Sequence, residues 1–406
     1  MNGMRTLRDL PLGALLALLS MGGLAQAQQT ASSTPLAFGV SETVTHDSNL
    51  FRAVDGSEQA DWLSLTALNL TLDQPLGRQR LRGNASLNLS RYRDNDQLNN
   101  AGHDLQLQLD WETAGNLSGG LGVQSTRQQY RYGFDSVQPF DGLNAESTQS
   151  AFARARWGGM GEWGLMAGMN TLRRDYSAAS FAANELSQWS ADVGGSYRPG
   201  PDLMFSLVTR HTEIARPDVG ALIGDDLGRD DLELGAQWQA SGASRFELSV
   251  ARSNEAHDLS ADRQFWTGSL TWNWAPSAKL KFSTRVLRDT AGSSGVSADP
   301  AAVAAGSQLR DAALWSAVWE VSAKVSVDAG VQWSKRRLSG VVGGNALTAE
   351  DRTLGLNLGA RYSPTRSLDL SCSVLNERRE VDAASLLLTR PYDDLAVRCA
   401  LQFWIR

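Results

Sequence analysis

The strongest constraint on this chain is an alternation of apolar and polar residues with a period of two. It recurs in segments of about ten residues from Leu36 to the C-terminus. Leu105, Leu107, Leu109 and Trp111 are interleaved with Asp104, Gln106, Gln108 and Asp110, and the same beat runs through 189–197, 325–333 and 354–362. Successive side chains of extended backbone point to opposite faces, so each segment has one greasy and one hydrated face. No helical periodicity of comparable strength follows residue 27.

A soluble antiparallel sandwich buries its apolar faces in a core, whereas a membrane barrel turns them toward lipid. The connections favour the barrel. Short links such as Ala114-Gly115-Asn116, Arg198-Pro199-Gly200-Pro201 and Ser363-Pro364-Thr365 alternate with long ones at 130–144, 213–230, 288–308, 335–350 and 378–393. Outer-membrane barrels have this asymmetry, with tight periplasmic turns and longer outer loops. Trp111, Trp157, Trp163, Tyr197, Trp238, Trp274, Trp319 and Tyr362 all stand beside short links. Indole and phenol rings are favourable where hydrocarbon meets headgroups, so these eight form an aromatic girdle. The expected fold is all-β: a transmembrane antiparallel β-barrel of about 18 strands, the first near 36–46 and the last near 394–405, with 16 as the alternative count.

Arg5 and Arg8 precede an apolar run, Leu10–Leu24, and Ala25-Gln26-Ala27 offers a small-x-small cleavage site. Residues 1–27 are therefore expected to be a cleaved signal peptide, leaving 28–406 as a single barrel domain in the outer membrane of a Gram-negative-type bacterium. No later run of about 20 apolar residues exists and mean hydropathy is −0.29, which excludes a helical membrane bundle. A formal charge of −6 and a pI near 5.4 argue against a nucleic-acid partner, which calls for a basic face. Outer-membrane lipid is the expected surrounding.

Strand parity assigns a second set of residues to the lumen: Arg82, Asp104, Asp110, Arg154, Arg156, Asp192, Arg210, Glu233, Arg245, Glu247, Lys281, Arg285, Asp328, Arg361 and Arg398. A ring of one sign would select small ions. This wall mixes both signs and suits neutral or weakly charged hydrated solutes, sugar chains included. The structural alternative is that these groups pair across strands and simply fill the bore.

Chemistry beyond transport finds no support. His46, His103, His211 and His257 lie in four separate segments, and neither Cys-x-x-Cys nor His-Glu-x-x-His occurs. Although His46-Asp47-Ser48 are contiguous, neighbours on extended backbone point apart. No catalytic residue, metal site or cofactor is expected. Cys372 and Cys399 share the outward parity and are symmetric about the centre of the last hairpin, which makes them cross-strand neighbours. A disulfide and two lipid-facing thiols both satisfy that geometry.

The last strand alternates through Leu395, Val397, Cys399, Leu401 and Phe403. Phe403 and Trp404 supply a near-terminal aromatic signal of the kind read by the outer-membrane assembly machinery, although Ile405-Arg406 follow. Two stretches carry a family resemblance. His46-Asp47-Ser48-Asn49-Leu50-Phe51-Arg52 after the first strand and Val397-Arg398-Cys399-Ala400-Leu401-Gln402-Phe403 at the end resemble the EpsL family, barrel proteins associated with exopolysaccharide biosynthesis operons. The resemblance implies secretion of a polysaccharide chain across the outer membrane, with a periplasmic polysaccharide-export protein as partner. A general or solute-specific porin is the alternative; an outer-membrane hydrolase and a structural docking barrel are lesser ones.

Overall fold

A computed structural model describes residues 35–405 apart from 131, 133–140, 159–160, 219–225, 259–261, 291–306, 343–344, 383–384 and 387–388. The expected signal peptide, 1–27, lies outside the described residues. Eighteen strands follow one another: β1 (Leu36–Asp47), β2 (Asp61–Leu76), β3 (Gln79–Tyr92), β4 (Asn100–Glu112), β5 (Leu117–Gln129), β6 (Ala145–Trp157), β7 (Trp163–Tyr176), β8 (Leu186–Gly200) and β9 (Leu203–Ala215) make the first half. The second half comprises β10 (Leu227–Ser241), β11 (Ser244–His257), β12 (Arg263–Ser277), β13 (Leu280–Thr290), β14 (Ser307–Glu320), β15 (Val325–Val342), β16 (Asn345–Tyr362), β17 (Leu368–Val381) and β18 (Tyr392–Ile405). Two short 3-10 turns, Asp96–Leu98 and Ala179–Asn184, interrupt the outer connections.

Each strand pairs antiparallel with its neighbours in sequence, and β1 pairs with β18 from Phe38↔Ile405 to Asp47↔Ala396. The sheet is closed. Closure leaves no edge, so the ladder hydrogen bonds are made between strands without help from water. Along β1, Phe38, Val40 and Val44 are exposed while Ala37, Ser41, Thr43 and Thr45 are buried. The concave face of a barrel is the more covered one, so the apolar parity points outward. Leu68, Leu87, Val193, Leu234 and Leu358, each more than half exposed, continue that outer surface. A closed barrel with an apolar exterior is an outer-membrane barrel, because exposed sheet edges and a polar exterior are both excluded from hydrocarbon.

Among the girdle residues, Trp157, Trp163, Trp238, Trp274, Trp319 and Tyr362 are exposed at the short-turn end, while Trp111 and Tyr197 are half-buried. The Tyr197 ring lies 4.4 Å from that of Trp163. From β10 to β14 the rings of Trp238, Phe246, Trp272, Trp274, Phe282 and Trp315 form one contiguous row, with centroids 5.2–6.1 Å apart. A second set of exposed indoles, Trp62, Trp189, Trp266 and Trp333, stands toward the outer strand ends and defines the opposite boundary. These four adjoin no common connection length, so nothing in the linear order groups them.

The strands overrun the expected ends. β15 and β16 pair as far as Val342↔Asn345, through the stretch 335–350 read as a loop, and β17 continues to Val381. The physical reason is that alternation ends where lipid ends. Above that level the outward positions of the same hairpin are Lys335, Arg337, Glu350 and Arg352, and Lys335 Nζ stands 2.7 Å from Glu350 Oε1. Charges on the outward face and a mixed inward face hide the strand from a hydropathy reading while its backbone pairing continues.

The register sets Cys372 opposite Cys399 on the outward face, with Cα atoms 4.1 Å apart and the sulfurs bonded. Alkylation of the unfolded protein without reductant is expected to label no cysteine, and both after reduction. Mass spectrometry reads the difference; two labelled thiols before reduction would leave the last hairpin without its crosslink.

Candidate functional site: the channel lumen

The register places all fifteen lumen candidates on the inward parity, the face opposite the exposed leucines and tryptophans. Many of these charges meet an opposite charge, across adjacent strands or, for Arg245 and Glu247, along β11. Toward the short-turn end, Arg80 pairs with Asp73, Arg82 with Asp110, Arg245 with Glu247 at 2.9 Å and Lys281 with Glu320 at 2.8 Å. Higher on the wall Arg210 meets Glu233 at 3.3 Å. These pairs stay partly hydrated, so each contributes little to stability, about 0–1 kcal/mol. Their effect is on the field, because opposite charges a few ångströms apart cancel beyond about one Debye length, ~8–10 Å.

Glycines keep this wall low. The guanidinium of Arg154 lies over the Phe152 ring, 4.5 Å from its centroid. Phe152 in turn covers Gly122, where a Cβ would stand 2.3 Å from the ring. Across the lumen wall, Asp328 lies over Gly359 and Asn357 over Gly330, and Asn357 donates to Asp328 at 3.4 Å. Asp192 uses Gly168 in the same way. Arg398 donates to Thr45 Oγ1 at 3.3 Å. Asp104, Arg156, Arg285 and Arg361 complete the inward set.

The outer third is built differently, and the lumen residues that matter there were not read from the sequence. Arg336 holds Asp351 with two hydrogen bonds, 2.9 and 2.5 Å, and Thr389 donates to the same carboxylate at 2.8 Å. Arg229 binds Asp231 at 2.7 Å, Thr290 at 2.7 Å and Ser253 at 2.9 Å. Arg174 lies 3.5 Å from Glu146, and Tyr392 donates to Glu377. All these side chains are buried. Thr389, from the connection between β17 and β18, reaches in over this layer. Phe51 from the first connection stacks edge-on against Tyr132 at 5.0 Å, in a knot with Leu50, Tyr92 and Leu98. Burial pushes the Tyr132 phenol well above its ordinary value. A second knot joins Tyr130 and Tyr176 to Phe181 of the second 3-10 turn. The wall thus carries partly exposed pairs toward the periplasm and buried ones toward the outside.

The stretch Asp47-Ser48-Asn49-Leu50-Phe51-Arg52 is a latch across the closing seam. Asn49 Nδ2 donates to Ala53 O at 2.8 Å and to Asp393 O at 2.9 Å, and its Oδ1 accepts from Ala53 N at 2.8 Å. Ser48 Oγ accepts from Leu395 N at 2.8 Å. Arg52, at φ 53°, sets its guanidinium 3.0 Å from Asp47 and 2.9 Å from Asp394. Adjacent Asp393 and Asp394 therefore diverge, one outward toward Arg378 and one into the latch. His46 turns onto Trp62, 4.8 Å between rings, so it and Ser48 are not brought together. His103 contacts Ser125 at 2.9 Å, and His211 contacts Asp230 at 2.8 Å. No group of three or more metal-ligating side chains occurs among the described residues.

No family model matches the chain, and no curated protein does. Among solved structures it is similar to the FrpB iron transporter of Neisseria meningitidis (F5-1 variant, apoprotein form), at 10% identity over 91% of this chain and 81% of that one, with a TM-score of 0.50. OccK5 (OpdH) of Pseudomonas aeruginosa matches at 11% identity over 91% and 98%, TM-score 0.48. The outer membrane channel DcaP of Acinetobacter baumannii matches at 12% over 91% and 96%, TM-score 0.47. At these identities the likeness is one of fold. With its hydrated wall and apolar exterior, the chain is an outer-membrane β-barrel channel.

Two outcomes follow. Arg52→Ala strands Asp394 without its counter-charge, and loss of one partner from a buried pair costs about 3–5 kcal/mol. The denaturation midpoint in detergent should fall accordingly, with Arg52→Lys intermediate because an ammonium cannot fork between two carboxylates. Arg82→Ala unmasks Asp110, which Gln108 still hydrogen-bonds at 2.7 Å. In planar bilayers under a KCl gradient the reversal potential should shift toward cation selectivity, and Arg82→Ala with Asp110→Asn should return it to the wild-type value.

Proposed function

We propose that this channel passes hydrophilic carbohydrate across the outer membrane, and that its specific cargo is an exopolysaccharide chain delivered by a periplasmic polysaccharide-export protein. The observation that carries the reading is the self-cancelling wall. Arg82 against Asp110, Arg245 against Glu247 and Lys281 against Glu320 leave many hydrogen-bonding groups and little net field. Such a surface attracts neither sign of ion and still replaces the hydration of a polyhydroxylated solute. Arg154 over Phe152 adds a flat face against which a sugar ring packs. The resemblance of 46–52 and 397–403 to the EpsL family supports the polymer as cargo and the export protein as partner.

A diffusion porin is the second reading, and one observation favours it. The first connection and both 3-10 turns fold inward at the outer mouth, as a constriction for small solutes would. The two readings separate cleanly. In-frame deletion should abolish surface polysaccharide while its synthesis continues, with polymer accumulating in the periplasm. Unchanged surface polymer, together with proteoliposomes that swell in small sugars, would replace secretion by diffusion.

A further inference from the structure

Glu42 faces lipid. On β1 it shares its parity with the exposed Phe38, Val40 and Val44, and it lies four residues inside His46, whose partner Trp62 marks the outer boundary. Its carboxylate accepts from Ser64 Oγ at 2.5 Å and from Thr66 Oγ1 at 2.6 Å, both on β2. Across the closing seam it stands opposite Leu401, itself exposed. Two hydroxyls satisfy lone pairs but bring no positive charge. An ionisable group on the lipid face of a barrel is destabilising at such depth, so it calls for a partner.

The same outer surface offers one nearer the outer boundary. His103 and Arg127 are directly opposite on β4 and β5, both on the outward parity, and Arg127 is exposed. They stand eight residues above Trp111 and ten above Leu117, at the inner strand ends, while Glu42 stands six above Leu36. Tilted strands climb about 2.5 Å per residue, so His103 stands about 5 Å and Arg127 about 10 Å above Glu42, a gap that the extended glutamate and arginine side chains close between them. Beside it the outward positions of β6 are Ala151, Ala153 and Ala155, a low strip next to the exposed Leu121 and Val123 of β5.

We infer that Glu42 is a contact between copies of this chain, engaging Arg127 and His103 of the next barrel in a closed ring of three. Two different patches meet, so the interface is heterologous, and such interfaces form a closed assembly only when the rotation between copies closes. In a ring of three, the directions from one member to its two neighbours are about 60° apart; in a ring of four, about 90°. Eighteen strands divide the circumference into steps of about 20°. The β1–β2 seam and β5 are three to four strands apart, or about 70°, nearest to the three-membered ring. Glu42 then exchanges an acyl environment for a guanidinium, and the lipid-facing carboxylate is explained. The contact is independent of what passes through the lumen.

The test is light scattering coupled to size exclusion, on the full chain in mild detergent. Wild type should have the mass of three chains. Glu42→Arg and Arg127→Glu should each give single barrels, and the double charge exchange should restore the ring. Glu42→Gln keeps both hydroxyl contacts and guards against misfolding of Glu42→Arg; its ring should dissociate at a protein concentration at least tenfold higher than wild type. A monomeric wild type, even one carrying anionic lipid at Arg127, would overturn the proposal. So would single variants that keep the wild-type mass, or an assembly of two or four chains.

Discussion

Backbone hydrogen bonding in hydrocarbon governs this molecule. A peptide group in acyl chains has no water to turn to, and a strand satisfies only half its groups with one neighbour. Every strand therefore needs two neighbours, and the last must return to the first. The β1–β18 ladder meets that requirement, which makes this seam the one place where sequence-distant segments must find each other. The latch sits at its outer end. Asn49 and Ser48 bind the backbone of β18, and Arg52 bridges Asp47 and Asp394 from the two strands. A motif that looks like a family signature in the sequence is, physically, the fastening of the closure.

Closure also divides the side chains into two environments with different rules. Outside, nothing polar is rewarded, and aromatic rings collect at the two boundaries. Inside, charge is tolerated provided that it is hydrated or paired. The periplasmic half uses partly exposed pairs such as Arg245–Glu247. The outer half uses buried pairs such as Arg336–Asp351, for which desolvation makes an intact geometry obligatory. The pairs near one mouth are therefore weak and partly exposed, and those near the other are buried and geometrically exacting.

Much of this was legible in linear order. Alternation gave the strand count, the inner girdle and the face of each lumen residue, because a strand's period is two wherever it lies and lipid enforces the contrast. Cys372 and Cys399 could be placed opposite each other from hairpin symmetry alone, while their bonding could not. The outer third was illegible. Around Lys335–Glu350 the outward face carries charges and the inward face mixes Arg336 with Leu338 and Ala349, so the pattern vanishes although the ladder persists. The buried pairs built on Arg229 and Arg336 sit in that zone, and their members look like ordinary loop charges.

The sequence by itself determined that this chain alternates, crosses a membrane as strands and presents a mixed-sign wall, since these depend only on neighbours one and two residues away. Tertiary structure alone decided which charges meet, which loops enter the mouth and what Asp47–Arg52 holds. Those pairings join residues as far apart as Arg52 and Asp394. Their distance is set by barrel closure and shear, quantities that belong to the whole ring and are written in no single segment.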